Sequence, residues 1–514
     1  MKRKLLVLLL AFVLILSLAA CNKKPAETST GGPATSGGAS EPAEITVVFY
    51  ALPTGLCPIT EDDSSNMSIC YHIYDRLVTF DADNNMSAGI AKSWKQVDGL
   101  TWEFDIGLDN YVFQNGDKLT MDDLVYSIMR LKDIPKSADT GALINSASYS
   151  GNTLTLKFTE ENNSLLTRVL TTAIIVNKAY MEANGDSAQF VNPIGTGPYK
   201  KTEFIPGASV VLETWDGYLL AKPQITKISC LGIGESANRY IAVETGQAQF
   251  TGMLTAYEID LAEKNDNIYI IEKSSRRPSS ICFNCEREPF SNVNVRIALT
   301  HAIDSEKICA LEGGRPPVKS MLFSGWPDYY MDPAYMPEFD LAKAKEMLEA
   351  EGYNASNPLH LTISTYIPSD PGLELYQSSL KSIGVEVDLN IVEFMVYLEL
   401  EGAGDFDMLW VMLLSRGGTP FSDLDRFDYN FVGTRDVSRY YNARVQEIVD
   451  EMRVCYDDAK IKALTQEIND ILGQEVPMPA MFLSPVLCVA DKKLNGVVVN
   501  GDMLLNFRFA TYTA

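Results

Sequence analysis

Residues 225–253 read as strand, helix, strand, and this alternation constrains the fold more than any other feature of the chain. Residues 225–231 form an apolar, β-rich run, residues 236–244 have helical character, and residues 248–253 return to strand. The same mixing recurs elsewhere. Ile45-Thr46-Val47-Val48-Phe49-Tyr50 is a β-rich run, followed by a Pro, Gly and Asp-rich loop to about Asn66. Residues 71–80 then read as a helix leading into a strand. Residues 94–97 and 100–106 alternate as a hairpin around Asp98-Gly99, a favoured turn pair. Thr120 with Asp123 forms a capping pattern ahead of Leu124, Val125 and Ile128. Val295, Ala298, Leu299, Ala302 and Ile303 are spaced as one face of a helix. Asp340 caps another helix, with Leu341, Ala344, Met347 and Leu348 on one face and Gly352 as its stop. Strands and helices therefore alternate irregularly, without an internal repeat, as in mixed α/β domains rather than a solenoid.

The 514-residue chain has a large core available, with 46% hydrophobic residues. Its first segment differs from the rest. Lys2, Arg3 and Lys4 precede residues 5–18, which are apolar except for Ser17, and Leu18-Ala19-Ala20-Cys21 follows. A basic end, a short apolar stretch and small residues before a cleavage site describe an export signal rather than a membrane span. The cysteine in that place resembles a bacterial lipobox, so residues 1–20 are expected to be a lipoprotein signal peptide and Cys21 the lipidated mature N-terminus. Residues 22–42 are rich in Gly, Ser, Thr, Ala and Pro and suit a flexible tether, so that residues 21–43 form anchor and linker. Removing the signal takes the net charge from −24 to −27. So acidic a body argues against nucleic acid and anionic lipid as partners.

Catalytic and metal signatures are sparse. The chain has three histidines, His72, His301 and His360, and none lies in an HExxH pattern. There is no GxSxG elbow and no GxxxxGK loop. Asp and Glu total 67, so chance acidic pairs carry no information about catalysis. Cys282-Phe283-Asn284-Cys285 is a CxxC, but its surroundings read as a strand, where positions i and i+3 point to opposite faces. Cys57 and Cys70 could pair across a loop. Gly232-Ile233-Gly234-Glu235-Ser236-Ala237 matches GxGxxA, but the next strand ends in Thr251-Gly252-Met253 without the acidic residue a dinucleotide site needs. No metal and no cofactor is expected.

Blocks of sequence in order from about residue 74 to 500 resemble the extracellular solute-binding proteins of family 5, the oligopeptide, dipeptide and nickel receptors of ABC importers. They are Tyr74 to Asp81 with Ala88 to Trp94; Leu100 to Phe104 with Phe113 to Gly116 and Leu119 to Ser127; Pro193-Ile194-Gly195-Thr196-Gly197-Pro198-Tyr199; Phe283-Asn284 with Pro289-Phe290 and Val295 to Asp304; Phe339-Asp340 to Gly352; Tyr441-Asn442; and Leu494 to Val497. The resemblance implies a two-lobed α/β fold of the periplasmic-binding-protein type II, with an extra subdomain, closing around a central cleft. Lobe I would take residues 44–80, 193–275 and 485–514, its subdomain 81–192, and lobe II 276–484. The chain would cross between lobes near 272–278 and 484–488.

The resemblance also implies function. The chain would be a monomeric receptor, not an enzyme, lipid-anchored on the extracytoplasmic face of the cell membrane. It would capture an oligopeptide or similar small solute and deliver it to an ABC permease powered by an ATPase. Peptide-binding relatives pair the ligand's ammonium with an Asp after a block that Phe406-Asp407-Met408-Leu409-Trp410 resembles. Here that acid is missing, and Arg416 stands near its place, suited to a ligand carboxylate. Either Asp423 or Asp425 supplies the acid instead, or the ligand lacks a free N-terminus. Trp410, Ser415, Arg416 and Asp423, with Tyr50 and Leu52 after the first strand, are the expected cleft residues. Trp94, Trp102 and Trp215 are expected in packing. A lipid-anchored hydrolase and a peptide-sensing receptor on the same fold are the competing readings.

Overall fold

The computed structural model describes residues 42–57, 63–80, 86–134, 137–273, 275–312, 317–367, 369–413 and 419–513. Cys21 and its flanking segments lie outside them. Among the described residues no helix is long and apolar enough to cross a membrane.

Three sheets organise the chain. The first has seven strands in the order Ile268–Lys273, Val486–Asp491, Phe250–Gly252, Ala43–Phe49, Ile225–Gly232, Ser209–Thr214, Tyr199–Ile205. Ala43–Phe49 runs parallel to both of its neighbours, while the other pairs are antiparallel. Its side chains alternate between two cores: Ile45, Val47 and Phe49 enter one, Val48 the other. The second sheet has five strands, ordered Glu386–Ile391, His360–Thr365, Met408–Met412, Pro278–Phe283, Ala480–Leu483. Its interior strand Pro278–Phe283 is buried at every position, as expected of a strand covered on both faces. The third is an antiparallel four-stranded sheet, Ala91–Asp98, Thr101–Ile106, Thr153–Phe158, Ile144–Ser150. The hairpin expected at Asp98-Gly99 is its first turn, where the Asp98 carboxylate accepts from the Leu100 N–H.

Most expected caps are present. Thr120 and Asp123 form a reciprocal capping box on helix Met121–Met129. Asp340 caps Leu341–Ala350 through the Lys343 N–H, and Gly352 ends it with φ +93°. One boundary differs: the segment read as loop up to Asn66 contains helix Ser64–Ile73. Asp63 accepts from the Ser65 and Asn66 N–H groups, so the Asp-Ser-Ser-Asn cluster is a cap and first turn rather than an open loop.

Helix Ser64–Ile73 is tightly framed. A β-carbon at Gly195 would lie 2.1 Å from the Ile73 carbonyl oxygen, and one at Gly197 2.5 Å from that of His72. Only glycine lets this turn close on the helix end, where the Gly197 N–H bonds Ile73. His72 is buried: Nδ1–H donates to the Ser68 carbonyl and Nε2 accepts the Phe507 N–H. Burial, with the Arg508 charge, pushes its pKa down from 6.5 to about 3. The stability this neutral ring contributes is therefore fully present above pH 6.5 and is lost as pH falls towards 3. His72→Gln is expected to flatten that part of the acid slope, read from urea midpoints between about pH 7 and about pH 4.

The CxxC falls as the strand reading implies. Cys282 packs in one of the two cores beside the five-stranded sheet, whereas its strand neighbours Ile281 and Phe283 pack in the other. Burial pushes both thiols up, Cys285 to about 12, which leaves them protonated and unreactive at neutral pH. Cys57 and Cys70 are not joined in a disulfide, and the Cys70 thiol donates to the Asn66 side-chain oxygen. His301 is hydrogen-bonded to the Glu338 carbonyl. Trp94 and Trp102 pack against the core, and the Trp215 indole N–H donates to Gly197.

Candidate functional site

Between the first and second sheets the chain passes twice, after Lys273 and after Leu483. The two crossings are pinned side by side. The Ser484 N–H donates to the Arg277 carbonyl. Arg276 pairs with Asp502 at 3.0 Å and lies 3.8 Å over the Trp326 ring.

At these crossings both sheets present the carboxyl ends of their parallel strands, the usual place for ligands in α/β sheets. On the first sheet, Tyr50 follows Ala43–Phe49 and Met253 follows Phe250–Gly252; with Ser64, Met503 and Leu505 they line a recess. Met253 (φ 55°) and Met503 (φ 63°) hold left-handed backbone conformations without being glycine. Each such residue costs about 1–2 kcal/mol, and strain of this kind concentrates at functional sites. On the second sheet, Tyr366 follows His360–Thr365, and Arg277 immediately precedes Pro278–Phe283, which runs antiparallel to Met408–Met412. Tyr366 is wedged between Phe394 and Tyr397, with ring centroids 4.9 and 5.1 Å away.

Tyr50 and Tyr366, which follow strands of the first and second sheets, are both acted on by the Arg277 charge. Burial raises the Tyr50 hydroxyl above its ordinary pKa, Asp63 adds to this, and Arg277 opposes it. Tyr366 is likewise raised by burial and opposed by Arg277. Both phenols therefore stay protonated as hydrogen-bond donors.

Of the residues expected in the cleft, Tyr50 lines the recess on the first sheet and is 39% exposed. Three others sit elsewhere. Trp410 is 1% exposed in the core, its indole N–H donating to Asp370 at 2.9 Å. Along Met408–Met412, Met408 and Trp410 enter one core and Leu409 and Val411 the other, so both faces are covered as far as Val411 and only Met412, at the carboxyl end, is half-buried. Leu52 is buried in the first core. Asp423 is 1% exposed, accepting from the Phe323 N–H and lying 3.3 Å from Arg426. Asp425 pairs with Arg435 and Arg453. Both acids are thus internal structural charges. Ser415 and Arg416 lie outside the described residues. Arg277 and Tyr366, beside the crossings, are not among the residues expected in the cleft, although the expected crossing at 272–278 contains Arg277. Among the described residues no cluster of His, Cys, Asp or Glu could hold a metal ion.

Two α/β bodies joined by paired crossings, with a cleft at the carboxyl edges of both sheets, define a two-lobed binding protein of the periplasmic type. The chain belongs to the bacterial extracellular solute-binding proteins, family 5, whose middle region matches residues 85–435. Members of this family are solute-binding components of transport, not enzymes. The oligopeptide-binding protein AppA of Bacillus subtilis is 24% identical over 517 residues, covering 94% of this chain and 93% of that protein. The nickel-binding protein NikA of Staphylococcus aureus is 23% identical over 431 residues, covering 82% and 85%. A dipeptide-binding protein from Pseudoalteromonas, solved in complex with Met-Leu, shares the fold with a TM-score of 0.80 at 20% identity, over 91% of this chain and 100% of the other.

Proposed function

We propose that this chain is the lipid-anchored receptor of an ABC importer, capturing an oligopeptide or chemically similar small solute and handing it to the permease. The observation that carries this reading is the double crossing between the two larger sheets, pinned by the Ser484 N–H on the Arg277 carbonyl, where the carboxyl ends of the parallel strands of both sheets lie. In this reading Cys21 bears the lipid, residues 22–43 are the tether, and the body works as a monomer on the extracytoplasmic face. The lobes divide at 275/276 and 484/485, a division supported by the membership of the two larger sheets.

Solute binds the closed arrangement better than the open one, so its differential affinity drives closure. Solution scattering of the purified chain with and without a mixture of short peptides tests this. A smaller radius of gyration with intact peptides recovered supports the reading; an unchanged shape, or cleaved peptides, refutes it.

A contact far from the cleft would assist closure. The Asn163 N–H donates to the Arg453 carbonyl at 2.8 Å, and its side-chain amide donates to the Met452 and Cys455 carbonyls at 2.9 and 3.1 Å. These cap the end of helix Ala443–Arg453, which belongs to the half carrying the five-stranded sheet, whereas Asn163 follows the four-stranded sheet. Each hydrogen bond is worth about 1 kcal/mol net. Asn163→Ala is therefore expected to weaken solute binding by about tenfold, mainly through faster release. Stopped-flow dissociation of a fluorescent peptide checks it; an unchanged off-rate contradicts the latch.

A further inference from the structure

Arg277 is a half-buried cation whose side chain meets no acceptor among the described residues. Its Nε is completely buried and lacks a hydrogen-bond partner. The adjacent Arg276, by contrast, pairs with Asp502 and stacks on Trp326. A buried, unsatisfied donor costs about 1–3 kcal/mol, and more when charged, so a fold that keeps one at its cleft calls for an explanation. Near the same crossing the Trp326 indole N–H is also buried without an acceptor. The Arg277 charge acts on the phenols of Tyr50 and Tyr366, which follow strands of the first and second sheets. The acid that acts on Tyr50, Asp63, is engaged in capping helix Ser64–Ile73. Donors thus gather here, while the two acids weighed for a ligand ammonium, Asp423 and Asp425, are committed inside the second half.

We propose that the solute is held by a carboxylate, docked side-on against the Nε edge of Arg277 and flanked by the hydroxyls of Tyr50 and Tyr366. The guanidinium edge offers two parallel N–H donors at the spacing of a carboxylate's two oxygens, which gives direction as well as strength. Because the phenols come from opposite halves, all three donors reach one oxyanion only when the halves are together. Binding the carboxylate and closing the cleft become a single event, and a solute with a neutral end is discriminated against because Arg277 would stay unpaired. This inference rests on the solute-binding reading above and assigns the chemistry of its ligand.

The test uses the full-length chain purified in detergent and two randomised tripeptide mixtures, identical except that one ends in a free carboxylate and the other in a carboxamide. Native mass spectrometry reads the bound fraction. The free-acid mixture is expected to bind at least about tenfold more tightly than the amide. Arg277→Ala is expected to abolish that preference, Arg277→Lys to retain part of it, and the melting temperatures without peptide to match the parent. A variant that melts early is replaced by Arg277→Gln, which keeps much of the side-chain volume. Equal binding of acid and amide by the parent, or a preference that survives Arg277→Ala and Arg277→Gln, overturns the carboxylate site while leaving solute capture standing. Binding of neither mixture overturns both.

Discussion

Replacing Trp410 by alanine is expected to lower the stability of the half built on the five-stranded sheet by about 3–5 kcal/mol, the range for emptying a buried aromatic site. The indole fills the core between its strand and the start of helix Pro371–Ser382; a β-carbon on Gly372 would lie 3.3 Å from it. It also holds the helix cap. Asp370 accepts the indole N–H through one carboxylate oxygen and the Leu373 N–H through the other, both at 2.9 Å. Alanine would remove the volume and one of the two contacts that orient the cap. Trp410→Phe keeps most of the apolar contact and loses the hydrogen bond, so its expected loss is about 1–2 kcal/mol. Denaturant midpoints followed by tryptophan-independent circular dichroism check both values. If Trp410→Ala left the midpoint unchanged and weakened only solute binding, the residue would belong to the cleft after all.

Arg508→Leu is expected to be similarly damaging, by about 3–5 kcal/mol, because it strands a buried charge. Arg508 pairs with Asp75, and its remaining donors reach the carbonyls of Tyr71 and Tyr74 at the end of helix Ser64–Ile73. A cation at a helix carboxyl end also complements the helix dipole. The neighbouring Phe507 and Leu505 N–H groups donate to His72 and Ser68 of the same helix. The segment after the last long strand is thereby stitched to residues more than 400 positions earlier. The double variant Arg508→Leu/Asp75→Asn removes the stranded charge and is expected to recover a large part of the loss. A double variant no more stable than Arg508→Leu alone would place the effect in the carbonyl contacts instead of the ion pair. Chemical denaturation of the four proteins as a double-mutant cycle separates the two.

Local signals were well read wherever one short stretch carried all the physics. The Thr120/Asp123 capping box, the Asp98-Gly99 hairpin and the Asp340 to Gly352 helix need only residues within a few positions of one another. Helix Ser64–Ile73 began earlier than expected because Asp, Ser and Asn serve equally as turn formers and as caps, and composition does not separate the two. The cleft was harder. Trp410, Leu52 and Asp423 were chosen by position along the chain, yet each faces inward. Which face of a strand is covered depends on what packs over it, and from Met408 to Val411 both faces are covered.

From the order of residues alone came the mixed α/β class, the family resemblance, the expected lipid anchor at Cys21 and the expectation that catalytic motifs are absent. These follow from periodicity, spacing and chemistry that neighbouring residues share. Only the tertiary structure decided that the Arg277 Nε is buried without a hydrogen-bond partner while Arg276, one position away, pairs with Asp502. The physical reason is that a charge's role depends on which acceptors surround it, and those come from segments far apart in the chain.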